Sequence, residues 1–365
     1  MKSSLTFSVL GSGNGGRALS AFIAGKGYPV IMYEPLEATE EYEKIKAEKE
    51  LFLEGDIETG GRVTEVTMDI KAAVESADVI FVVVPSFAHR PIFEKLIPHL
   101  KDGHHIILIP GNYGGFRIKK MMSDAGIKAE VSVSETSSLP YACRIGAYNR
   151  VMIYKKKFKM KIATSPSKRN RAILDIMNSI FAGYTNFIPG ENLLEMDLDN
   201  INQPLHPLPV LLNYGTIEKS PETFRHYIDG VTPLISEVMM KMDAERIAVG
   251  DKLSLKLIPT LKQLKMYYGD NNSQTYFEYV NSAESPYKNL VGDHVRSRYL
   301  TEDVPYLVVP FVQLAHRLGV PVPISEICIN LTSLLHGRDY FSEGATLDKI
   351  GIEKKPFNEI IRLAS

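Results

Sequence analysis

Two hydrophobic patterns divide the chain. Through the first half, short apolar runs alternate with segments of helical spacing. LTFSVLG (5–11) is a β-rich run, RALSAFIAGKG (17–27) has helical spacing and stops at Gly27, and YPVIMYE (28–34) is a second strand. The charged segment EATEEYEKIKAEKE then carries opposite charges at helical spacing. DIKAAVESADVIFVVVP (69–85) predicts a helix and then a fully buried strand, and FAHRPIFEKLIPHL with HHIILIPG repeats that order. Such a rhythm predicts a parallel sheet covered by helices. VMIYKKKFKMKIA (151–163) alternates partly and predicts exposed strands. Its lysines read as a solvated face, with attraction of an anion as the other reading. SKRNRAILDIMNSIF and YTNFIPG add a helix and a strand.

After Gly190 the strand-like runs fade. PLISEVMMKMDAERIAVGDKL, LSLKLIPTLKQLKMYYG, VPYLVVPFVQLAHRLG and ISEICINLTSLLHG are long and amphipathic. The expected organisation is an α/β Rossmann-type dinucleotide-binding domain over 1–189. A mainly α-helical C-terminal domain would occupy 190–365 and carry substrate and catalytic groups. The 365-residue length agrees, since it exceeds one typical core.

Composition narrows the function. With 44% apolar and 23% charged residues and a net charge of −1, the chain is neither disordered nor basic enough to favour a nucleic-acid partner. Cys143 and Cys328 lie far apart, so they form neither a metal spacing nor a disulfide framework, and they fit a reducing compartment. No metal site is expected. VIFVVVP is too short to span a bilayer and no signal peptide precedes the first motif, so a soluble cytoplasmic protein without a membrane partner is expected.

The sharpest local signal is VLGSGNGGRALS, where Gly11-x-Gly13-x-x-Gly16 follows a strand and opens a helix. Gly11 allows the tight turn, Gly13 lets backbone approach a pyrophosphate, and Gly16 lets helix and strand pack closely. Ser12, Asn14 and Gly15 lie among them and belong to the same candidate cofactor loop. The helix N-terminus offers free N–H groups and a positive dipole to phosphates. Glu34, at the end of the second strand, is placed to accept hydrogen bonds from the adenosine ribose and would repel a 2′-phosphate. That favours NAD, while Arg17 keeps NADP possible. Pro85 ends the buried strand at the sheet's carboxyl edge, where Ser86 and His89 can line the nicotinamide side; His89 reads as a loop or helix-start residue.

Four segments carry substrate chemistry. Asn112, in LIPGNYGG, can both donate and accept a hydrogen bond. ETSSLPYACR (135–144) concentrates a carboxylate, hydroxyls, a thiol and an arginine, either as a polar ligand site or as a capped turn. SRYLTEDVPY sets Arg298, a candidate carboxylate clamp, ahead of Asp303, which can hold a histidine in one tautomer or form a surface ion pair. NINQPLHP places His206 beside Pro207 and four residues after Asn202. That histidine is a packed residue or an acid–base catalyst.

Taken together, VLGSGNGGRA, VPSFAH, PGNYGG, ETSSLPYACR, NQPLHP and RYLTEDVP resemble the opine dehydrogenase family, the octopine and nopaline dehydrogenase group, from end to end. The resemblance implies NAD(P)H-dependent coupling of an amino acid to an α-keto acid such as pyruvate. It implies His206 as catalytic histidine, Asp303 as its partner, and Arg298 as the arginine that holds the amino acid. Asn112 and Ser138 would hold the keto acid, with Cys143 and Glu302 near the amino acid. A homodimer is open, because apolar periodicity in the helical half serves a dimer face as well as a core. Two other readings remain at this point. Glycerol-3-phosphate dehydrogenases and ketopantoate reductases join similar domains but lean on a catalytic lysine, for which no comparable motif is found. A non-enzymatic nicotinamide-binding regulatory protein would keep the glycine loop without needing His206 and Asp303.

Overall fold

A computed structural model describes residues 5–269, 271–288, 290–291 and 294–365. The chain divides into two compact units, one reaching Met196 and joined by Arg362–Ser365, the other Asp197–Ile361.

The first unit is built on an eight-stranded sheet. In chain order its first elements are β1 (Phe7–Leu10), α1 (Asn14–Gly25), β2 (Val30–Tyr33), α2 (Glu40–Glu48), β3 (Glu50–Gly55), β4 (Thr59–Arg62), β5 (Glu65–Thr67) and α3 (Ile70–Glu75). There follow β6 (Val79–Val82), α4 (His89–Leu96), β7 (His105–Leu108), α5 (Gly114–Asp124), β8 (Ser132–Thr136), β9 (Tyr141–Ala147), β10 (Arg150–Lys156), β11 (Lys159–Ser165), α6 (Asn170–Ile180) and β12 (Asn186–Pro189). The main sheet runs β12-β11-β8-β7-β6-β1-β2-β5. Its six strands from β8 to β5 are parallel, and every residue of β1, β2 and β6 is buried, as expected of strands covered on both faces.

Two features depart from the sequence reading. First, β11 pairs antiparallel with β8, so the sheet is mixed, and β11 is largely buried rather than exposed. Between β8 and β11 the chain passes through β9 and β10 of another sheet rather than through a crossover helix, and it re-enters in the opposite direction. Second, β3, β4, β9 and β10 form a separate four-stranded sheet, order β4-β3-β10-β9. The charged run was read as helix to its end at Glu50. The helix stops at Glu48, because Lys49 takes a left-handed conformation (φ 58°) and β3 begins at Glu50.

The second unit is helical. After α7 (Leu193–Leu198), which spans the boundary, three short helices, α8 (Asn202–Leu205), α9 (Pro207–Leu212) and α10 (Tyr214–Lys219), lead to α11 (Pro233–Lys252), α12 (Thr260–Tyr268) and α13 (Tyr276–Asn281). Then come α14 (Arg298–Thr301), a π-helical turn at Val304–Val308, α15 (Val309–Leu318), α16 (Pro323–His336), α17 (Tyr340–Glu343) and α18 (Phe357–Ala364). Arg246 on α11 is fully buried. It donates to Asp199 (2.9 Å), Asp243 (2.9 Å) and the carbonyls of Leu198 and Ile258. A buried charge is tolerated only with partners this complete. The network fixes the residues just before α8. Among the described residues, no helix is long and apolar enough to cross a membrane.

Candidate active site

In the first unit the glycine loop joins β1 to α1. Gly11 has φ +117°, and a Cβ there would lie 2.4 Å from the Val83 carbonyl. A Cβ on Gly16 would lie 1.8 Å from the Gly11 carbonyl, whereas one on Gly13 would meet nothing within 4 Å. Two glycines are therefore required by packing, and the third opens backbone to space in front of the helix. That is the cradle a dinucleotide pyrophosphate needs. Ser12 donates its hydroxyl to Glu34, and the other Glu34 oxygen accepts the Leu36 N–H at 2.9 Å. Glu34 is thus held at the end of β2, oriented by the loop it would serve. Asn14 Oδ1 accepts the Ile145 N–H at 2.7 Å, tying the loop to β9, and a Cβ on Gly15 would touch Val83 and Leu139. Arg17 is buried. It donates to the Ser12 carbonyl (2.8 Å), the Tyr148 carbonyl (2.8 Å) and Glu41 (3.0 Å), so its guanidinium braces the loop from inside the protein. Gly16→Ala is expected to overpack this turn at a cost of about 1–3 kcal/mol. NADH affinity should fall about tenfold or more in a fluorescence titration.

The next groups gather at the carboxyl ends of β6, β7 and β8, the edge where open α/β sheets bind ligands. Pro85 leads from β6 into a 3-10 turn at Ser86–Ala88. Asn112, buried with φ 50°, donates to Ser86 Oγ at 2.7 Å. Glu135, also buried, accepts the Gly115 N–H at 2.6 Å. His89 begins α4 and is enclosed; burial and the nearby Arg117 push its pKa down to about 3, so it is a neutral core residue. Cys143 lies buried on β9, outside any disulfide, opposite Ile153 of β10. Ser138 Oγ accepts Lys157 Nζ at 2.6 Å. Lys157 is buried within the run read as a solvated face, and loss of hydration lowers its pKa to about 7. The reason lies in the topology: this residue falls where the chain leaves β10 for β11.

In the second unit, two breaks in helical geometry bring His206 and Asp303 together. Pro207 cannot continue α8 by donating a backbone bond, so α9 starts there and His206 sits at the junction. The His206 N–H still bonds the Asn202 carbonyl at 3.0 Å, which places half-buried Asn202 one turn before it. Asp303 stands between α14 and the π-turn, and π-turns recur at functional sites. Asp303 Oδ2 lies 2.7 Å from His206 Nδ1, and both residues are buried. Burial pushes the Asp303 pKa up to about 7, with Arg298 opposing it. Arg298, half exposed, lies 4.0 Å from buried Glu302.

Sequence reasoning missed the other side of the histidine. Tyr227 OH is 3.0 Å from His206 Nε2, and Tyr299 stacks near the imidazole at a ring separation of 4.1 Å. His226 packs on Tyr227 and Tyr299, its pKa lowered to about 3 chiefly by burial. Tyr227 burial raises its pKa well above the usual value, so the hydroxyl keeps its proton. The segment FRHYIDG shows neither strand nor helix periodicity, and its adjacent His and Tyr were the only available signal. No cluster of metal-binding side chains occurs among the described residues.

Comparison with known proteins agrees with this division of labour. The alpha-helical domain of NAD/NADP octopine/nopaline dehydrogenase matches residues 189–336, which include His206 and Asp303. The N-terminus of NAD-dependent glycerol-3-phosphate dehydrogenase matches residues 6–124. An opine dehydrogenase from Arthrobacter sp. (strain 1C) is 33% identical over 355 residues, 96% of each chain. Octopine dehydrogenase from Mizuhopecten yessoensis is 25% identical, over 93% of this chain and 92% of that one. The structure of octopine dehydrogenase with NADH and L-arginine superposes with a TM-score of 0.80 at 21% identity, over 98% of both chains. With a nucleotide loop in one unit, a histidine–aspartate pair in the other and a relative one-third identical over nearly the whole length, the chain belongs to the opine dehydrogenase family of NAD(P)-dependent oxidoreductases.

Proposed function

We propose that this opine dehydrogenase uses pyruvate as its keto acid and NADH as its preferred reductant, with His206 and Asp303 as the acid–base pair. The reaction class is reductive condensation of an amino acid with an α-keto acid. The observation that carries the assignment of residues is the 2.7 Å contact between buried His206 and Asp303. A relative solved with NADH and pyruvate supports the choice of keto acid, and Glu34 supports NADH.

Condensation first adds the amine to the keto carbonyl. The amine loses a proton, the carbonyl oxygen gains one, and water then leaves to give an imine. His206 serves both transfers, because a histidine of near-neutral pKa can give and take a proton in turn. Asp303 holds the ring by its Nδ1 and stabilises the imidazolium whenever it forms. Tyr227 sets the proton on the opposite nitrogen. Reduced nicotinamide, when bound, supplies the hydride that reduces the imine to a secondary amine. Arg298 is assigned to a substrate carboxylate, which a guanidinium can bind in two-point fashion. Asn112 and Ser138 are assigned to the keto acid, Glu302, Asn202 and Cys143 to the amino-acid side. Gly11, Ser12, Gly13, Asn14, Gly15, Gly16, Glu34 and Pro85 are assigned to the cofactor.

The test is NADH oxidation followed at 340 nm with pyruvate and each amino acid singly, NADPH in parallel. Oxidation should require both organic substrates. Oxidation with pyruvate alone would identify a simple hydroxyacid dehydrogenase instead. The cysteines, outside any disulfide, agree with a cytoplasmic location. Ile327 and Leu334 lie on one face of α16, 60% and 78% exposed, which supports a homodimer. Sedimentation should then show a dimer that Leu334→Glu dissociates.

A further inference from the structure

The amino edge of the main sheet carries a second concave site. The strand register aligns Phe7 of β1 with Val79, His105 and Ser132, so these residues mark the start of the parallel strands, whereas the glycine loop follows their other end. A cavity of about 510 Å³ opens at this edge, within the size range of small-molecule sites. Its lining holds Lys119, Lys168 and Arg169 against one carboxylate, Glu130.

We propose that this cavity binds a small oxyanion of charge two or more, either a phosphate group or a compact dicarboxylate. Three observations carry it. Lys119 Nζ, partly buried on α5, donates to Ser165 Oγ and to the Leu363 carbonyl at 2.6 Å, both neutral acceptors. Among the described residues it has no ion-pair partner, and neither do Lys168 and Arg169, which stand in the turn before α6. Loss of hydration lowers the Lys119 pKa to about 8, with the Glu135 carboxylate opposing it, so the site keeps a costly ammonium whose direct hydrogen-bond partners are neutral. The second observation is His104, which lines the same cavity and is 98% buried, being 2% exposed. Its Nδ1 accepts the Lys101 N–H at 3.3 Å, so Nε2 carries the proton, and that nitrogen has no acceptor among the described residues. The third is a hydroxyl and an imidazole already aligned there, since His105 Nδ1 and Ser132 Oγ lie 2.6 Å apart. Three cationic side chains and two imidazoles line the cavity with one carboxylate, a balance that suits an oxyanion.

The experiment uses the full-length protein saturated with NADH, so that the glycine loop is already occupied. Sodium phosphate and sodium malonate are titrated separately at constant ionic strength against chloride, and the thermal midpoint is followed. A bound anion raises it with a saturating dependence on concentration. A rise with phosphate alone identifies a phosphate-bearing ligand, and one with malonate alone a dicarboxylate. Lys168→Ala/Arg169→Ala replaces two exposed side chains and should weaken the apparent affinity about tenfold or more. Glu130→Gln should strengthen it. The proposal is overturned if neither anion raises the midpoint above the chloride control, or if the double variant titrates like wild type. NADH binding by the double variant reports the cofactor site separately.

Discussion

His206→Ala is expected to lower kcat by about 10²–10⁴-fold, the usual contribution of a positioned acid–base group. NADH affinity should stay at the wild-type value. The two readouts separate because the residues concerned belong to different compact units: the glycine loop to the first, His206 to the second. Loss of the ring also removes packing against Tyr299 and leaves Asp303 without its partner. His206→Asn, which retains a hydrogen-bonding side chain, is the second variant. It should keep the fold and show a similar loss, since an amide does not exchange protons near neutral pH. Turnover within tenfold of wild type in both variants would remove His206 from the chemistry. A parallel loss of NADH binding would mean that the histidine supports the fold instead.

How much of this was legible in the sequence depends on where each signal resided. The nucleotide-binding sheet was readable because fully buried parallel strands are continuous apolar runs, and VIFVVVP cannot be mistaken for a surface segment. The small sheet was not. Glu50–Gly55 carries a charge at each end of its core, and Thr59–Arg62 contains two glycines, so neither shows an apolar alternation. The pairing of β3 with a strand almost a hundred positions away, Phe52 with Arg150, is a tertiary fact with no local trace. The same holds for Lys157. In sequence it is one of a run of lysines, and only the change from one sheet to the other buries it. His206 and Asp303 were found through motifs 97 residues apart, not through periodicity. Tyr227 has no motif, and its contact with His206 Nε2 depends on how an irregular segment packs.

Asp303→Asn should move stability and activity in opposite directions. The folded-state pKa of Asp303 is raised from an ordinary 3.8 to about 7 because the carboxyl is buried. Between those values the native protein holds a proton that the unfolded chain has released. The carboxyl's contribution to stability is therefore greatest below pH 4, declines as pH rises, and is a constant penalty above pH 7. Asparagine has no such titration. Relative to wild type, the variant should gain on the order of 1–3 kcal/mol between pH 5 and pH 8, read from urea unfolding at the two values. Activity should fall about 10²-fold or more, because the amide neither stabilises an imidazolium nor fixes one tautomer of His206. A buried acid that costs stability at working pH is retained for what it does to its partner. If the variant instead lost stability at pH 8 as well as activity, the 2.7 Å contact would be holding the helices together, and the orienting role assigned to Asp303 would fail.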